Sequence, residues 1–411
     1  MPFWLHERIG SQNVQAMLFS GGIKMGNRTF LYVSQVPMRN QKNPDPGISV
    51  CQIDEETGKL DVLGQYPLHG ITNVACADPD KGLLYFTGEE PDAHKKGKQG
   101  DRVIVMQVDR ETGLLMEVVQ TVPTLSPNPV YVTLDQSKTH MIVANHTTHN
   151  AVFKVEKNEA GEWCTRPVYD DSTVVLYSLH EDGTVRSVED VVTQEGSGPL
   201  RTQTHAHPHS VAVSPSGKLL AVPDKGADKV FVYTIESNRL KLLAEPWSSQ
   251  PGDEPRFCIF HPTLRYLYVN HEGNLGLDML QYSEDGTLTH VQTVYAEPEN
   301  LVRQPGRIYE HQGIAMHPSG NWLYSVARGV DAMAVFQIEQ NTGRLKLIQL
   351  KQMDGQWPRC CQMTPDGNWL VAGTRDSGDL ILYRIGEDGR LTESDRIKLF
   401  CGVAYVTAIQ F

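Results

Sequence analysis

The sequence predicts an all-β chain, a seven-bladed β-propeller closed by its own C-terminal strand. Three observations carry this. A proline turn recurs at Asp78-Pro79-Asp80, Ser214-Pro215-Ser216-Gly217, His261-Pro262, His317-Pro318-Ser319-Gly320 and Thr364-Pro365-Asp366-Gly367, with a degraded copy at Leu134-Asp135-Gln136-Ser137. A second turn, acidic and ending in glycine, recurs out of phase with it at Glu56-Thr57-Gly58, Glu111-Thr112-Gly113, Glu284-Asp285-Gly286, Asn341-Thr342-Gly343 and Glu387-Asp388-Gly389. Proline presets φ, and Gly or Asp accepts φ > 0, so both segments turn for a physical reason. Between them lie short alternating runs rich in β-branched and aromatic residues, with almost no helical periodicity. Four antiparallel strands in a period of about 45–55 residues is the length of one propeller blade. A TIM barrel and a doubly wound sheet are excluded by the missing helices.

Taken in order, blade 1 starts with strands at Thr29–Val36 and 48–53. Blade 2 runs from Thr72 to Thr121, and blade 3 begins at Pro129. An insertion is expected in blade 3 near 169–192, with strands of its own at 174–179 and around Val185. Blades 4, 5, 6 and 7 begin at Pro208, Pro255, His311 and Pro358. Blade 1 lacks an inner strand, and residues 402–411 (GVAYVTAIQF) read as an inner strand with no turn after it. The C-terminal strand is therefore expected to complete blade 1, which removes open sheet edges. The domain reading is a propeller over 29–411 and an unplaced N-terminal extension over 1–28, with 15–19 as a short strand or a plug.

Composition narrows the partners. The net charge of -12 lacks the basic footprint that nucleic acid demands. A few arginines can still build a local positive pocket for a small anion. The seven cysteines contain no CxxC pair and are odd in number, which fits a reducing compartment better than a disulfide framework. The start, MPFWLHERIGSQ, lacks the apolar run of a secretory signal, and no stretch has the length of a membrane helix. The expectation is a cytoplasmic, monomeric protein that touches no membrane.

The repeat then selects a site. Inner strands of a propeller line a central channel, so equivalent positions converge there. The residue six before each turn proline is Asn73, His209, Arg256, Gln312 and Arg359, with Val130 in blade 3 and Val403 in blade 1. The residue ten after that proline is Glu89, Lys225, Glu272, Arg328 and Arg375, with His146 in blade 3. Every member of the second set is ionisable, and both sets meet at one channel mouth, where loops and strand ends of closed β folds build sites.

The bland readings are specific. Charge at a loop register can be a solvated rim. The His205-Ala206-His207-Pro208-His209 segment puts three histidines on one face of an extended chain. Pro208 breaks regular pairing there, and no second ligand set has matched spacing, so the expectation is no metal, with His209 alone in the channel. Cys360 and Cys361 face opposite ways as small packing residues. Trp322, Tyr324 and Trp369 read as core between blades.

One carboxylate (Glu272), the histidines His209 and His146, and the arginines Arg256, Arg328, Arg359 and Arg307 suit an anionic substrate and acid–base chemistry without a cofactor. No nucleophile elbow occurs. Hydrolysis of a strained ester such as a lactone fits, because its barrier is small. Glu272 and His209 are alternative bases, and the residues do not choose between them.

The segments HPHSVAVSPSGKLLAVPDKGADKVFVY, PRFCIFHPTLRYLYVNHE and GIAMHPSGNWLYSVARGVDAMAVF resemble blades of the propeller-type lactonase family, which includes bacterial 6-phosphogluconolactonase and the fungal 3-carboxy-cis,cis-muconate lactonising enzyme. The resemblance runs from about Thr29 to Phe411. It implies an active site of His209, Arg256 and Glu272, with Arg328 of the SVARG segment also matching. A further family arginine falls on Tyr309 by direct alignment, with Arg307 two residues before it and His311 two after. Taken with the ring register of the repeat, the expected substrate-binding set is Arg307, His311, Gln312, Arg328, Arg359 and His146. The implied function is hydrolysis of a sugar lactone, 6-phosphogluconolactone first, which would place the chain in carbohydrate metabolism at the pentose phosphate pathway. The alternatives are a carboxymuconate cycloisomerase, a metal-dependent hydrolase using the histidine segment, and a propeller that binds without catalysis.

Overall fold

The computed structural model describes residues 17–18, 28–42, 44–68, 70–89 and 100–411. Most of the N-terminal extension therefore lies outside the described residues. Its one described strand, Met17–Leu18, pairs with the outer strand of blade 1 at Gln65 and Gly64. Among the described residues the chain consists of strands and turns, arranged as seven sheets of antiparallel order plus one two-stranded hairpin.

Blade 5 is representative. From the channel outward it runs Pro255–Phe260, Tyr266–His271, Gly276–Tyr282 and Leu288–Tyr295, in sequence order. The first two strands are apolar on both faces, because each blade is covered on both sides by its neighbours. Blade 1 closes the ring. Its inner strand is Gly402–Gln410, paired antiparallel to Thr29–Val36 from Gln410↔Thr29 to Gly402↔Val36. The sequence expectation of a C-terminal closing strand holds.

The insertion in blade 3 lies elsewhere than expected. Thr173–Leu179 pairs with His140–Asn145, and Val185–Thr193 pairs with Thr173–Leu179, so these are the third and fourth strands of the blade itself. The inserted segment is 146–172. It carries the separate hairpin Val152–Lys157 with Trp163–Val168, which stands largely in solvent. The difference has a plain cause. Residues 174–179 show the apolar run of a buried strand, whereas the hairpin lacks any clean alternation.

Neighbouring blades are joined by a repeated bond. An aromatic residue in one blade reaches the glycine turn of the next. Tyr32 Oη donates to Gly113 O (2.8 Å), Tyr85 to Gly183 O (2.8 Å), Tyr268 to Gly343 O (2.7 Å) and Tyr324 to Gly389 O (2.9 Å). In blade 7 Trp369 Nε1 donates to Glu55 Oε2 (2.6 Å) beside the Gly58 turn. These glycines have φ between 64° and 87°, a range in which a Cβ is strained, and a Cβ on Gly113 or Gly389 would also strike Phe30 or Trp322. The acidic-glycine turn is thus both a chain reversal and a socket for the preceding blade. The seven core clusters follow the same logic, each built from residues of adjacent blades.

Candidate active site

Each inner strand begins with an irregularity in its pairing, and this is what aims side chains into the channel. In blade 5 Pro255 pairs with His271 and Phe257 with Asn270, leaving Arg256 as an extra residue. In blade 7 Pro358 pairs with Thr374 and Cys360 with Gly373, leaving Arg359. Val130 stands out in blade 3 and Ala404 in blade 1 by the same count. Asn73 with Val74, and Gln312 with Gly313, fall at the register shifts of blades 2 and 6. A β-bulge adds one residue on one strand and re-aims its side chain, commonly beside active sites. Blade 4 reaches the same end by another route, since Pro208 makes only an isolated bridge to Asp224. The ring register read from the turn prolines is therefore a ring of bulges, with Ala404 rather than Val403 in blade 1.

The bulged residues meet around a small cavity of about 40 Å³, lined by Asn73, Val130, His209, Arg256, Arg359 and Ala404 among others. Prolines at the first strand position cost no ladder bond. The residues before three of them, Asn128, Glu254 and Trp357, have φ of 58°, 54° and 62°. For a tryptophan such a φ is an outlier, held in place here by its surroundings. Its ring lies 4.4 Å from the Arg328 guanidinium and 4.7 Å from that of Arg375.

Glu272 is the centre of the charged cluster. Lys225 Nζ lies 2.5 Å from its Oε1 and Arg256 Nε 2.6 Å from its Oε2. The Arg256 contact is a close ion pair without hydrogen-bond alignment, and Arg256 Nε and Nη1 are buried with no hydrogen-bond partner. Burial pushes the Glu272 carboxyl upward, but Lys225 and Arg256 outweigh it and hold the group well below the usual carboxylate range. His209 is buried at the same place, edge-on to Phe257 at 5.2 Å. Burial, with Arg256 adding to it, drives its pKa well below 6.5, so the ring is neutral at pH 7. Its Nδ1 has no hydrogen-bond partner.

The other expected residues divide. His146 joins the cluster, buried and 5.6 Å from His209 in an edge-on contact. Arg328 is buried at the mouth but is already paired with Glu310, which also accepts from Gln312 Nε2 (3.0 Å). Arg359 lines the cavity. Arg307 is placed on the outer rim, 39% exposed and bonded to Asp331 (2.7 Å). His311 is fully buried between blades, with Nε2 on Leu275 O (3.0 Å) and Nδ1 on Ser325 Oγ (2.8 Å). The structure thus gathers His209, Arg256, Glu272, His146 and Arg359, and leaves Arg307 and His311 outside the cluster.

Two further residues of the site carry no role in the sequence reading. Lys225 stands at the right register, ten residues after a turn proline, and only its partner is missing from the sequence. Glu310 stands two residues before the counted position Gln312 and so falls outside the register, where it pairs across the strands with Arg328. The histidines of the 205–209 segment pack against their neighbours. The His205 ring lies 4.2 Å from that of His207 and stacks on Tyr169 (4.4 Å), while His207 stacks on His146 (4.4 Å) and its Nδ1 donates to His146 O (2.7 Å). Among the described residues, the group whose ligand atoms come within 4.8 Å of one another is Asp253, His271 and Asp278. There His271 Nε2 lies 3.1 Å from Asp278, and Gly273 N donates to Asp253 O (2.9 Å), so the group braces the strand end that presents Glu272.

Comparison with known proteins agrees with the propeller fold. The family described as "Lactonase, 7-bladed beta-propeller" matches residues 31–399. A 6-phosphogluconolactonase of Bacillus subtilis (strain 168) is 28% identical over 357 residues, covering 85% of this chain and 91% of that one. A solved structure of a putative 6-phosphogluconolactonase from Bacteroides fragilis superposes with a TM-score of 0.74 at 23% identity, over 93% of this chain and 98% of that one. A periplasmic gluconolactonase of Pseudomonas aeruginosa gives a TM-score of 0.76 at 21% identity, over 93% and 99%. At these identities the two structures speak for the fold. No helix among the described residues is long and apolar enough to cross a membrane.

Proposed function

This chain belongs to the seven-bladed β-propeller lactonase family, and from its channel mouth we propose that it hydrolyses the lactone of a sugar acid, with 6-phosphogluconolactone, opened to 6-phosphogluconate, as the leading substrate. The observation that carries the proposal is the partly buried Glu272 carboxylate between Lys225 and Arg256, beside a neutral His209 with a free ring nitrogen.

The roles follow from protonation. His209, neutral at pH 7, takes a proton from water as the water oxygen attacks the lactone carbonyl. Glu272 stays ionised and stabilises the imidazolium that results. Arg256 has unpaired N–H groups for the oxyanion of the tetrahedral intermediate. When the ring C–O bond breaks, the imidazolium returns its proton to the departing ring oxygen. The product is an open hydroxy acid, and no cofactor enters the step. Arg328 and Gln312, both tied to Glu310, wall the mouth on the blade 6 side and His146 on the blade 3 side.

The test is the rate of 6-phosphogluconolactone hydrolysis by the purified protein against the spontaneous rate. A large excess supports the reading. If the excess appears only with unphosphorylated sugar lactones, the reaction class survives and the leading substrate does not. If it appears only as loss of diene absorbance from a carboxymuconate, the cycloisomerase is the right reading. No excess with any of them removes lactone chemistry.

A further inference from the structure

The cations at the mouth are unequal. Lys225 and Arg256 share Glu272, Arg328 has Glu310, and Arg375 has Asp376 at 2.7 Å. Arg359 makes no hydrogen bond and no ion pair with any described residue, although it is enclosed by the channel and only partly reached by solvent. A guanidinium in such a place, left without a counter-charge, is costly unless something supplies one.

The surroundings are suited to an oxyanion. The cavity that Arg359 lines holds about 40 Å³, room for about three waters or one compact charged group. Arg256 lines the same cavity, and its Nη1 is a buried donor with no hydrogen-bond partner. Burial, then repulsion from Arg256 and Arg375, lowers the Arg359 pKa to about 10. An anion lying between the guanidinium groups turns that repulsion into shared attraction. One group opposes this. Glu89, which accepts from Asn73 Nδ2 (2.7 Å), faces the same region, but burial raises its carboxyl pKa and so weakens its claim on Arg359.

We propose that the cavity under Arg359 and Arg256 is the subsite for an oxyanion carried by the substrate, a phosphate monoester or a carboxylate. This rests on the lactonase reading and deepens it. Arg359 belongs to blade 7, whereas Lys225 and Glu272 belong to blades 4 and 5. The preferred substrate then carries an anionic group in addition to its lactone carbonyl. Arg359 is then a specificity residue, and Arg256 serves both ends.

Two substrates and one inorganic probe test it. Glucono-lactone and its 6-phosphate are compared in the native protein, in Arg359→Gln and in Arg359→Lys, with phosphate as a competing ion. The expected result is that Arg359→Gln lowers the preference for the phosphorylated lactone, the ratio of the two kcat/KM values, by about tenfold or more. The loss should lie in KM, Arg359→Lys should recover part of it, and phosphate should inhibit the native protein far more than Arg359→Gln. Equal phosphate inhibition in both, or an unchanged preference, overturns the subsite. Thermal unfolding of each variant separates loss of fold from loss of binding. If the native protein opens neither lactone, the lactonase reading fails, and phosphate binding followed by calorimetry in the native protein and in Arg359→Gln still decides the subsite.

Discussion

Lys225 and Glu272 meet at 2.5 Å across the boundary between blades 4 and 5, and both are largely removed from water. Glu272 also carries Arg256, so one carboxylate answers two cations. The carboxylate cannot be removed without leaving both uncompensated in a dry place. Glu272→Gln is expected to lower kcat/KM by about tenfold or more and to destabilise the fold by about 3–5 kcal/mol. The double variant Glu272→Gln with Lys225→Met removes one orphaned charge with the carboxylate. It should regain part of the stability and none of the activity. Denaturant unfolding beside lactone hydrolysis separates the two effects, and full activity in Glu272→Gln would refute the site.

On the proposed mechanism His209 sets the pH dependence. The active form is then the neutral ring, and burial with Arg256 nearby keeps it neutral well below the ordinary value of 6.5. Glu272 is likewise ionised below its ordinary range. As pH falls, activity is lost only when His209 gains a proton, which happens below 6.5. The enzyme-catalysed kcat/KM, corrected for spontaneous opening, should stay level from about pH 7.5 down through about 6. A fall centred near 6.5 would mean that the titrating base is a histidine in an ordinary setting and not this one.

How far the sequence reaches depends on what each feature needs. Blade count and closure are local: proline and glycine turns repeat at fixed offsets, and GVAYVTAIQF lacks a partner strand until the ring closes. The site register is legible for the same reason, because Arg256 and Arg359 are bulged at one fixed distance from the turn and so share a direction. Pairing is not legible. Nothing local tells Arg328 to choose Glu310 or Arg307 to choose Asp331, yet those choices take both arginines out of the set of free cations. The resemblance to lactonases singles out His209, Arg256 and Glu272 but offers no partner for them. Lys225 emerges as that partner only once blades 4 and 5 are packed together.

Asp224 gives a test of stability alone. Its Oδ1 accepts from the backbone N–H groups of His207 (2.6 Å), Gly226 (3.0 Å) and Ala227 (3.0 Å), while Oδ2 is buried without a partner. Burial wins over the three bonds and lifts the carboxyl to about 7. An acid whose folded pKa is raised costs stability most when both states are ionised, above about 7. That cost is relieved as pH falls toward the unfolded value near 4, and it amounts to about 4 kcal/mol at most. The depressed histidines act the opposite way in the same window, so the native protein alone is uninformative. The difference between Asp224→Asn and the native protein isolates the residue. The substitution should be neutral or stabilising at about pH 8 and lose that advantage by about pH 5. A difference that does not vary with pH would mean that Asp224 keeps an ordinary pKa.

Closure by the last strand carries the final prediction. Gly402–Gln410 buries Val403 and Val406 between blades 1 and 7 and Ile409 between blades 1 and 2, and supplies every inner-edge partner of Thr29–Val36. Burying one such side chain is worth about 1.5–3 kcal/mol, so three of them approach the whole stability of a typical domain, about 5–15 kcal/mol. Removing residues 402–411 also turns Thr29–Val36 into an open edge that can pair with other chains. The truncated protein should lose cooperative unfolding and associate. Adding the peptide GVAYVTAIQF should restore a single transition, since the gap is one strand wide and its hydrogen bonds are directional. A peptide carrying Val406→Asp should fail to do so. Cooperative unfolding of the truncated chain without peptide would mean that the ring is held by the interfaces between blades, with aromatic-to-turn bonds such as Tyr324 to Gly389 sufficing in place of the closing strand.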